Sequence, residues 1–222
     1  MQTPVITVDG PSGVGKGTIS QGLADVLGWH YLDSGALYRI LGYAAHQAGV
    51  DLDNVDALLQ LVNSLHIDFV GGAQLDGESI DVLIRTEQAG DRASRVAHHP
   101  QIRTAMLALQ RGFLKAPGLV ADGRDMGTTI FPQTPHKFYL TATAEERAKR
   151  RYKQLKEKGQ DGNIGALFRD IQQRDDRDMN RVDSPLRPAD DANIIDTTHL
   201  SINEVLKEVI EQLPFKVIVP LE

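Results

Sequence analysis

Residues Gly10 to Thr18 read GPSGVGKGT and follow PVITVD, an apolar β-branched run that Gly10 and Pro11 stop. Such a run is the pattern of a short buried strand ending in a sharp turn. Beyond Lys16 the apolar residues Ile19, Leu23, Val26 and Leu27 recur at helical spacing, with Gly28 as the stop. A glycine, a four-residue gap and a glycine-lysine pair between a strand and a helix form a phosphate-binding loop. Glycines let successive backbone N–H groups converge on phosphate oxygens, the helix N-terminus adds favourable partial charge, and Lys16 supplies a mobile cation. The candidate ATP-binding residues are therefore Gly10, Pro11, Ser12, Gly13, Val14, Gly15, Lys16, Gly17 and Thr18, with Lys16 bridging the β- and γ-phosphates. A flexible glycine turn capping a helix is the plain alternative, and the strand before the loop weighs against it. One position departs from the template. Gly17 stands where a serine or threonine ligates magnesium, and the hydroxyl arrives one residue later, at Thr18. Mg2+ is expected to be held mostly by phosphates and water, with Thr18 and Asp122 as candidates; a plain turn residue is the alternative for Asp122.

The rest of the chain alternates strand-like and helical segments, which implies an α/β fold with a parallel sheet. Helices are predicted over Ser34 to about His46, Val55 to Leu65, Glu87 to Ala97, Pro100 to Leu114 and Ile202 to Leu213. Core strands are predicted at GLVAD (118–122), KFYL (137–140) and NIID (193–196). Between about 66 and 97, HIDFV and IDVLI read as strands separated by the turn-rich GGAQLDGES, so a small β-rich insertion is expected there. Residues 144–181 are helical in pattern and crowded with arginine and lysine, interrupted by KGQDGN. One domain, 1–213, is expected, with a tail, 214–222, that has no evident place in it.

A net charge of −6 argues against a broad surface for a nucleic acid polymer. The absence of cysteine excludes disulfides and thiolate metal sites. No run of about 18 apolar residues suggests a membrane span, and MQTPVITVDG lacks the form of an export signal. The expectation is a cytoplasmic monomer without a membrane partner.

Two further segments carry candidate chemistry. In LDSGALYR, either Asp33 or Ser34 suits a helix N-cap, while Ser34, Tyr38 and Arg39 also fall near the carboxyl ends of strands, where open α/β sheets bind ligands. In ADGRDMG, Arg124 beside Asp125 is either a surface ion pair or one group for phosphate and one acceptor for a base amino group.

Taken in order and at these separations, GPSGVGKGT, LDSGALYR, ADGRDMG and RDDRDMNR resemble the bacterial cytidylate kinases, long form, of the P-loop nucleoside monophosphate kinase superfamily, across nearly the whole chain. The resemblance implies a P-loop NTPase fold: a five-stranded parallel sheet flanked by helices, a monophosphate-binding insertion at about 66–97 and a helical lid at about 147–181. It places Ser34, Ser94, Arg103 and Asp125 toward cytosine or its flanking groups and Arg39 and Arg124 toward phosphate. Arg174, Asp178 and Arg181 complete the acceptor pocket for CMP or dCMP. A carboxylate, an arginine and hydroxyls are a matched set for cytosine's amino group and ring acceptors. For Ser94 and Arg103, in RASRVAHHPQIR, a solvated helix face is the plain alternative.

Arg174, Arg177, Asp178 and Arg181 share one face if they lie on one helix. An exposed, ion-paired helix is the alternative. With Arg147, Arg150 and Arg151 on the preceding helix, a clamp on transferring phosphates is the better reading, and Lys16, Arg150, Arg151 and Arg174 are the catalytic candidates. The expected reaction is ATP-dependent phosphorylation of CMP or dCMP. Kinases for UMP, AMP or shikimate, and an idle nucleotide-binding scaffold, are the rivals. A GTP-dependent switch is disfavoured because no Asn-Lys-x-Asp occurs.

Overall fold

The computed structural model describes residues 3–69, 72–157, 159 and 161–214, in two compact units: residues 1–32 with 111–222, and residues 33–110. Among the described residues no helix is long and apolar enough to cross a membrane.

The first unit is built on β1 (Val5–Asp9), β2 (His30–Asp33), β6 (Leu119–Gly123), β7 (His136–Thr141) and β8 (Asn193–Asp196), ordered β2-β6-β1-β7-β8. The first strand pairs parallel with β6, from Val5 opposite Leu119 to Asp9 opposite Gly123, and with β7, from Ile6 opposite His136 to Asp9 opposite Tyr139. That register brings the loops after β1 and β6 out side by side at the carboxyl edge. Every residue of β1 and of β6 is buried, as a parallel sheet covered on both faces requires. Ile6, Val8, Val120, Phe138, Leu140 and Ile195 form its core with Ile19 and Leu23 of α1 (Lys16–Leu27) and Val205 and Val209 of α8 (Ile202–Glu211). A capping box between Ser201 and Glu204 opens α8.

In the same unit, α6 (Ala144–Glu157) and α7 (Ile164–Met179) pack together through Ala148, Leu155, Leu167 and Ile171. Asn163 caps α7 by accepting from the Ala166 N–H at 2.9 Å. The expected one-helix face needs correcting: α7 ends at Met179, so Arg181 lies beyond it. Two residues of KGQDGN, Lys158 and Gln160, and tail residues 215–222 lie outside the described residues.

The second unit holds α2 (Ser34–Gln47), α3 (Val55–Ser64), α4 (Glu87–Val96) and most of α5 (Pro100–Arg111), with a three-stranded antiparallel sheet. The α5 helix stops at Arg111, short of the expected Leu114. The β-rich insertion is present: one strand lies in the apolar run HIDFV, as expected, and the other two lie outside IDVLI. The strands are β3 (Ile67–Asp68), β4 (Gln74–Leu75) and β5 (Glu78–Ser79), two of them inside the polar stretch. Asp76 and Gly77, both at positive φ (52° and 85°), make the two-residue turn that an Asp-Gly pair favours in a hairpin. IDVLI is not a strand. Ile80 and Ile84 are spaced four apart and buried together with Ala36, Ile40 and Ala73, and Leu83–Arg85 forms a 3-10 turn. Val70 of HIDFV lies outside the described residues.

Candidate active site

The loop between β1 and α1 has the backbone its glycines imply. A side chain at Gly10 would place its Cβ 2.2 Å from the Leu140 carbonyl oxygen, so no other residue fits there. Gly15, left-handed at φ 98°, starts α1 without any side-chain cap, whereas α2, α3, α4, α7 and α8 are capped by Asp33, Asn54, Thr86, Asn163 and Ser201. The first N–H groups of α1 are thereby left to an anion. Lys16 is buried, and its Nζ donates to the Pro11 carbonyl at 2.8 Å, which holds the cation over the loop. Thr18 is exposed.

Asp9, which ends β1, is buried and accepts from the backbone N–H groups of Met126 and Gly127, both at 2.8 Å. It therefore ties the phosphate loop's strand to the segment after β6 that carries Arg124 and Asp125. Burial pushes its carboxyl up to about 7, with the Asp125 charge adding to the rise; the two N–H groups and Lys16 oppose it. The folded chain thus holds this proton more tightly than the unfolded chain, whose value is near 3.8. Stability from this group is present below pH 4, falls as pH rises toward 7, and then levels off; at ~1.4 kcal/mol per pH unit the loss is on the order of 4 kcal/mol. Urea unfolding of Asp9→Asn across pH 4–8 is expected to show a flatter dependence in that window than the wild type.

Asp122, at the carboxyl end of β6, is buried inside the strand rather than exposed in a turn, and Tyr31 donates its hydroxyl to Asp122 Oδ2 at 2.6 Å. Among the described residues no group of three or more His, Asp or Glu side chains is placed to hold a metal. Asp122 nevertheless lies beside the loop: a Cβ on Gly17 would stand 3.7 Å from its Oδ2. A hard carboxylate there has the chemistry that Mg2+ accepts as a partner.

Arg124 pairs with Asp178, Nε to Oδ2 at 2.8 Å, and Arg181 donates to Asp178 Oδ1. Asp178 and Arg181 are buried, so the exposed, ion-paired helix is excluded for them. Burial alone would raise the Asp178 carboxyl; Arg124, Arg181 and Arg174 outweigh it and hold the group below the ordinary carboxylate range. Asp125 is buried, and its carbonyl accepts from the Thr129 N–H at 2.8 Å as the chain turns into Met126–Ile130.

The arginines of α6 divide by task. Arg147 is buried and donates to the Ala142 carbonyl, to the Ser12 carbonyl of the phosphate loop at 2.9 Å and to Asp175 of α7. Arg150 reaches the Thr197 carbonyl and, at 3.1 Å, its hydroxyl, with Val14 of the loop at 3.4 Å. Arg151 bonds Gln154 on its own helix at 3.2 Å. Burial raises the Tyr139 hydroxyl, which also feels Arg124, Asp9, Asp175 and Arg147, so these groups surround one region of the first unit.

In the second unit the N-cap of α2 is Asp33, which accepts from Ala36 N–H at 2.9 Å and from Arg85 at 2.7 Å. Ser34 is left to donate to Gln110 Oε1 at 2.7 Å. Arg39 donates to the carbonyls of Ile84 and Thr86 at 2.8 and 3.1 Å, holding the 3-10 turn against α2. Ser94 and Arg103 are buried, and the Arg103 guanidinium lies 5.8 Å from the centre of the Tyr38 ring, so neither is on a solvated face.

Sequence reasoning passed over Asp9, Tyr31 and Asp175. An acid ending a buried, mostly apolar strand immediately before the loop was a signal for Asp9; nothing local marked Tyr31 or Asp175, whose partners lie 91 and 28 residues away.

The cytidylate kinase family profile matches residues 6–214. A cytidylate kinase of Shewanella pealeana (strain ATCC 700345 / ANG-SQ1) is 53% identical over 99% of this chain and 98% of its own length. One from Colwellia psychrerythraea (strain 34H / ATCC BAA-681) is 52% identical over 94% and 95%. A solved gluconokinase from Sinorhizobium meliloti 1021 aligns over 94% of this chain and 90% of its own at 13% identity and a TM-score of 0.48. With the profile spanning the described fold and relatives more than half identical along its length, the chain belongs to the cytidylate kinase family.

Proposed function

We propose that the chain transfers the γ-phosphoryl group of ATP to CMP or dCMP, giving ADP and CDP or dCDP. The observation that carries this reading is the uncapped start of α1 with Lys16 above it, in the same unit as the Arg124–Asp178–Arg181 cluster, whose Asp178 and Arg181 are buried. The first feature is built for a nucleotide's polyphosphate. The second concentrates guanidinium groups whose geometry suits a monophosphate.

Gly10 to Thr18 bind the ATP phosphates, and Lys16 follows the γ-phosphoryl as negative charge spreads over its oxygens. Mg2+, when bound with ATP, neutralises part of that charge. The acceptor phosphate is already anionic and needs no strong base, so transfer rests on alignment, exclusion of water and positive charge. Asp125 is then a specificity residue for the cytosine amino group. Ser34, Ser94 and Arg103 are assigned to cytosine and its surroundings, Arg39 and Arg124 to the monophosphate, and Arg174, Asp178 and Arg181 to phosphate and sugar. Arg150, Arg151 and Arg174 are the candidates to contact the moving phosphoryl group. Arg147 has a different task, because its donors hold Ser12 and Asp175.

Phosphorus NMR of the chain with ATP, Mg2+ and CMP tests the reading. Paired growth of ADP and CDP signals is expected; release of inorganic phosphate without CDP would leave an ATPase and remove the acceptor assignment.

A further inference from the structure

The phosphate loop lacks a hydroxyl at position 17, and the structure shows what stands there instead. A Cβ built on Gly17 would meet the Tyr31 hydroxyl at 3.5 Å and Asp122 Oδ2 at 3.7 Å. These two oxygens are hydrogen-bonded to each other at 2.6 Å, the length of a charge-assisted O–H···O bond to a carboxylate. They come together because β2 and β6 are neighbours in the sheet, which sets Tyr31 across from the carboxyl end that Asp122 occupies. A side chain at position 17 would therefore start in contact with both oxygens.

We infer that the Tyr31 hydroxyl is a positioning group for Asp122, and that the Tyr31–Asp122 pair holds, beside Gly17, the place that the general phosphate loop gives to a metal-ligating hydroxyl. The inference rests on the magnesium-ATP reading of the loop. A carboxylate fixed by a phenol keeps one rotamer, and that rotamer orients it toward metal-bound water. Tyr31 touches neither phosphate nor metal in this scheme; it acts through Asp122. Glycine at position 17 and tyrosine at position 31 then form one arrangement rather than a missing ligand and an unrelated aromatic residue.

Isothermal calorimetry separates the positioning role from a merely structural one. ATP is titrated into the wild type, Tyr31→Phe and Asp122→Asn, once with Mg2+ and once in EDTA, after thermal unfolding shows each variant folded. Outer partners of metal ligands change metal-dependent affinity by about 10–100-fold. Asp122→Asn is expected to weaken the Mg2+ arm by about 10-fold and Tyr31→Phe by about 5-fold, each leaving the EDTA arm within about twofold. If Asp122→Asn weakens the Mg2+ arm and Tyr31→Phe either spares it or weakens both arms equally, the positioning inference is overturned while the metal reading stands. If Asp122→Asn leaves the Mg2+ arm intact, the metal reading itself falls and takes the inference with it.

Discussion

Lys16→Met is expected to lower kcat by about 10²–10³-fold, the loss of ~3–4 kcal/mol of transition-state stabilisation found when one preorganised donor is removed from a phosphoryl- or acyl-transfer site. The Lys16 side chain is buried and its ammonium is set by the Pro11 carbonyl, so methionine can fill the stem's space without the charge. ATP binding persists in this variant, because the backbone N–H groups at the uncapped start of α1 remain. A secondary effect follows from Asp9, whose carboxyl loses a cation that lowers it and moves further up. Steady-state rates with saturating ATP and CMP, beside a thermal unfolding curve, check this. A kcat within about threefold of the wild type would remove Lys16 from the chemistry.

Asp178→Ala is expected to be the most destabilising single change in the site. Asp178 is 1% exposed and holds Arg124 and Arg181; its removal takes their carboxylate from the buried Arg181 and the partly buried Arg124. Breaking a buried pair in this way costs about 3–5 kcal/mol, which at about 2–4 °C per kcal/mol lowers Tm by roughly 10 °C in a chain of this size. Asp178→Asn keeps an acceptor but not the charge and falls between. Because its carboxyl is held below 3.8, Asp178 contributes stability that is present above that pH and lost as pH falls through its folded value. Asp9 acts in the opposite sense and at higher pH, so the two are separable in an unfolding series from pH 2 to 8. A Tm within 2 °C of the wild type for Asp178→Ala would show that the arginines find other partners.

Much of the first unit was legible because its signals are local. The strand, loop and helix of residues 5–27 lie contiguously in the chain, and alternating elements suffice for a parallel sheet. The insertion was legible as a kind of structure and in the strand within HIDFV, but not in the two strands of its hairpin. Short apolar runs are ambiguous between strand and turn, and Ile80 and Ile84 obey a helical period that only their burial with Ala36 and Ile40 makes visible. Asp76-Gly77 carried the hairpin signal within a stretch that reads first as polar loop. In the candidate site, glycine, lysine and arginine patterns singled out residues, while the pairings those residues make were hidden. Arg124 sits beside Asp125 in sequence yet pairs with Asp178, 54 residues on, and Arg147 spends its donors on Ser12 and Asp175. Such partners depend on sheet order and helix packing, which no local pattern encodes.

The most direct test of the account is the ratio of kcat/KM values for CMP, dCMP, UMP, AMP, GMP and shikimate, read as ADP formation with ATP and Mg2+ in wild type and Asp125→Ala. The account expects CMP and dCMP to lead the others by at least about 10²-fold, as sites built to bond a specific polar edge achieve. It also expects Asp125→Ala to erode that lead chiefly through KM. Equal use of several acceptors, or preference for a purine or a non-nucleotide, would contradict it.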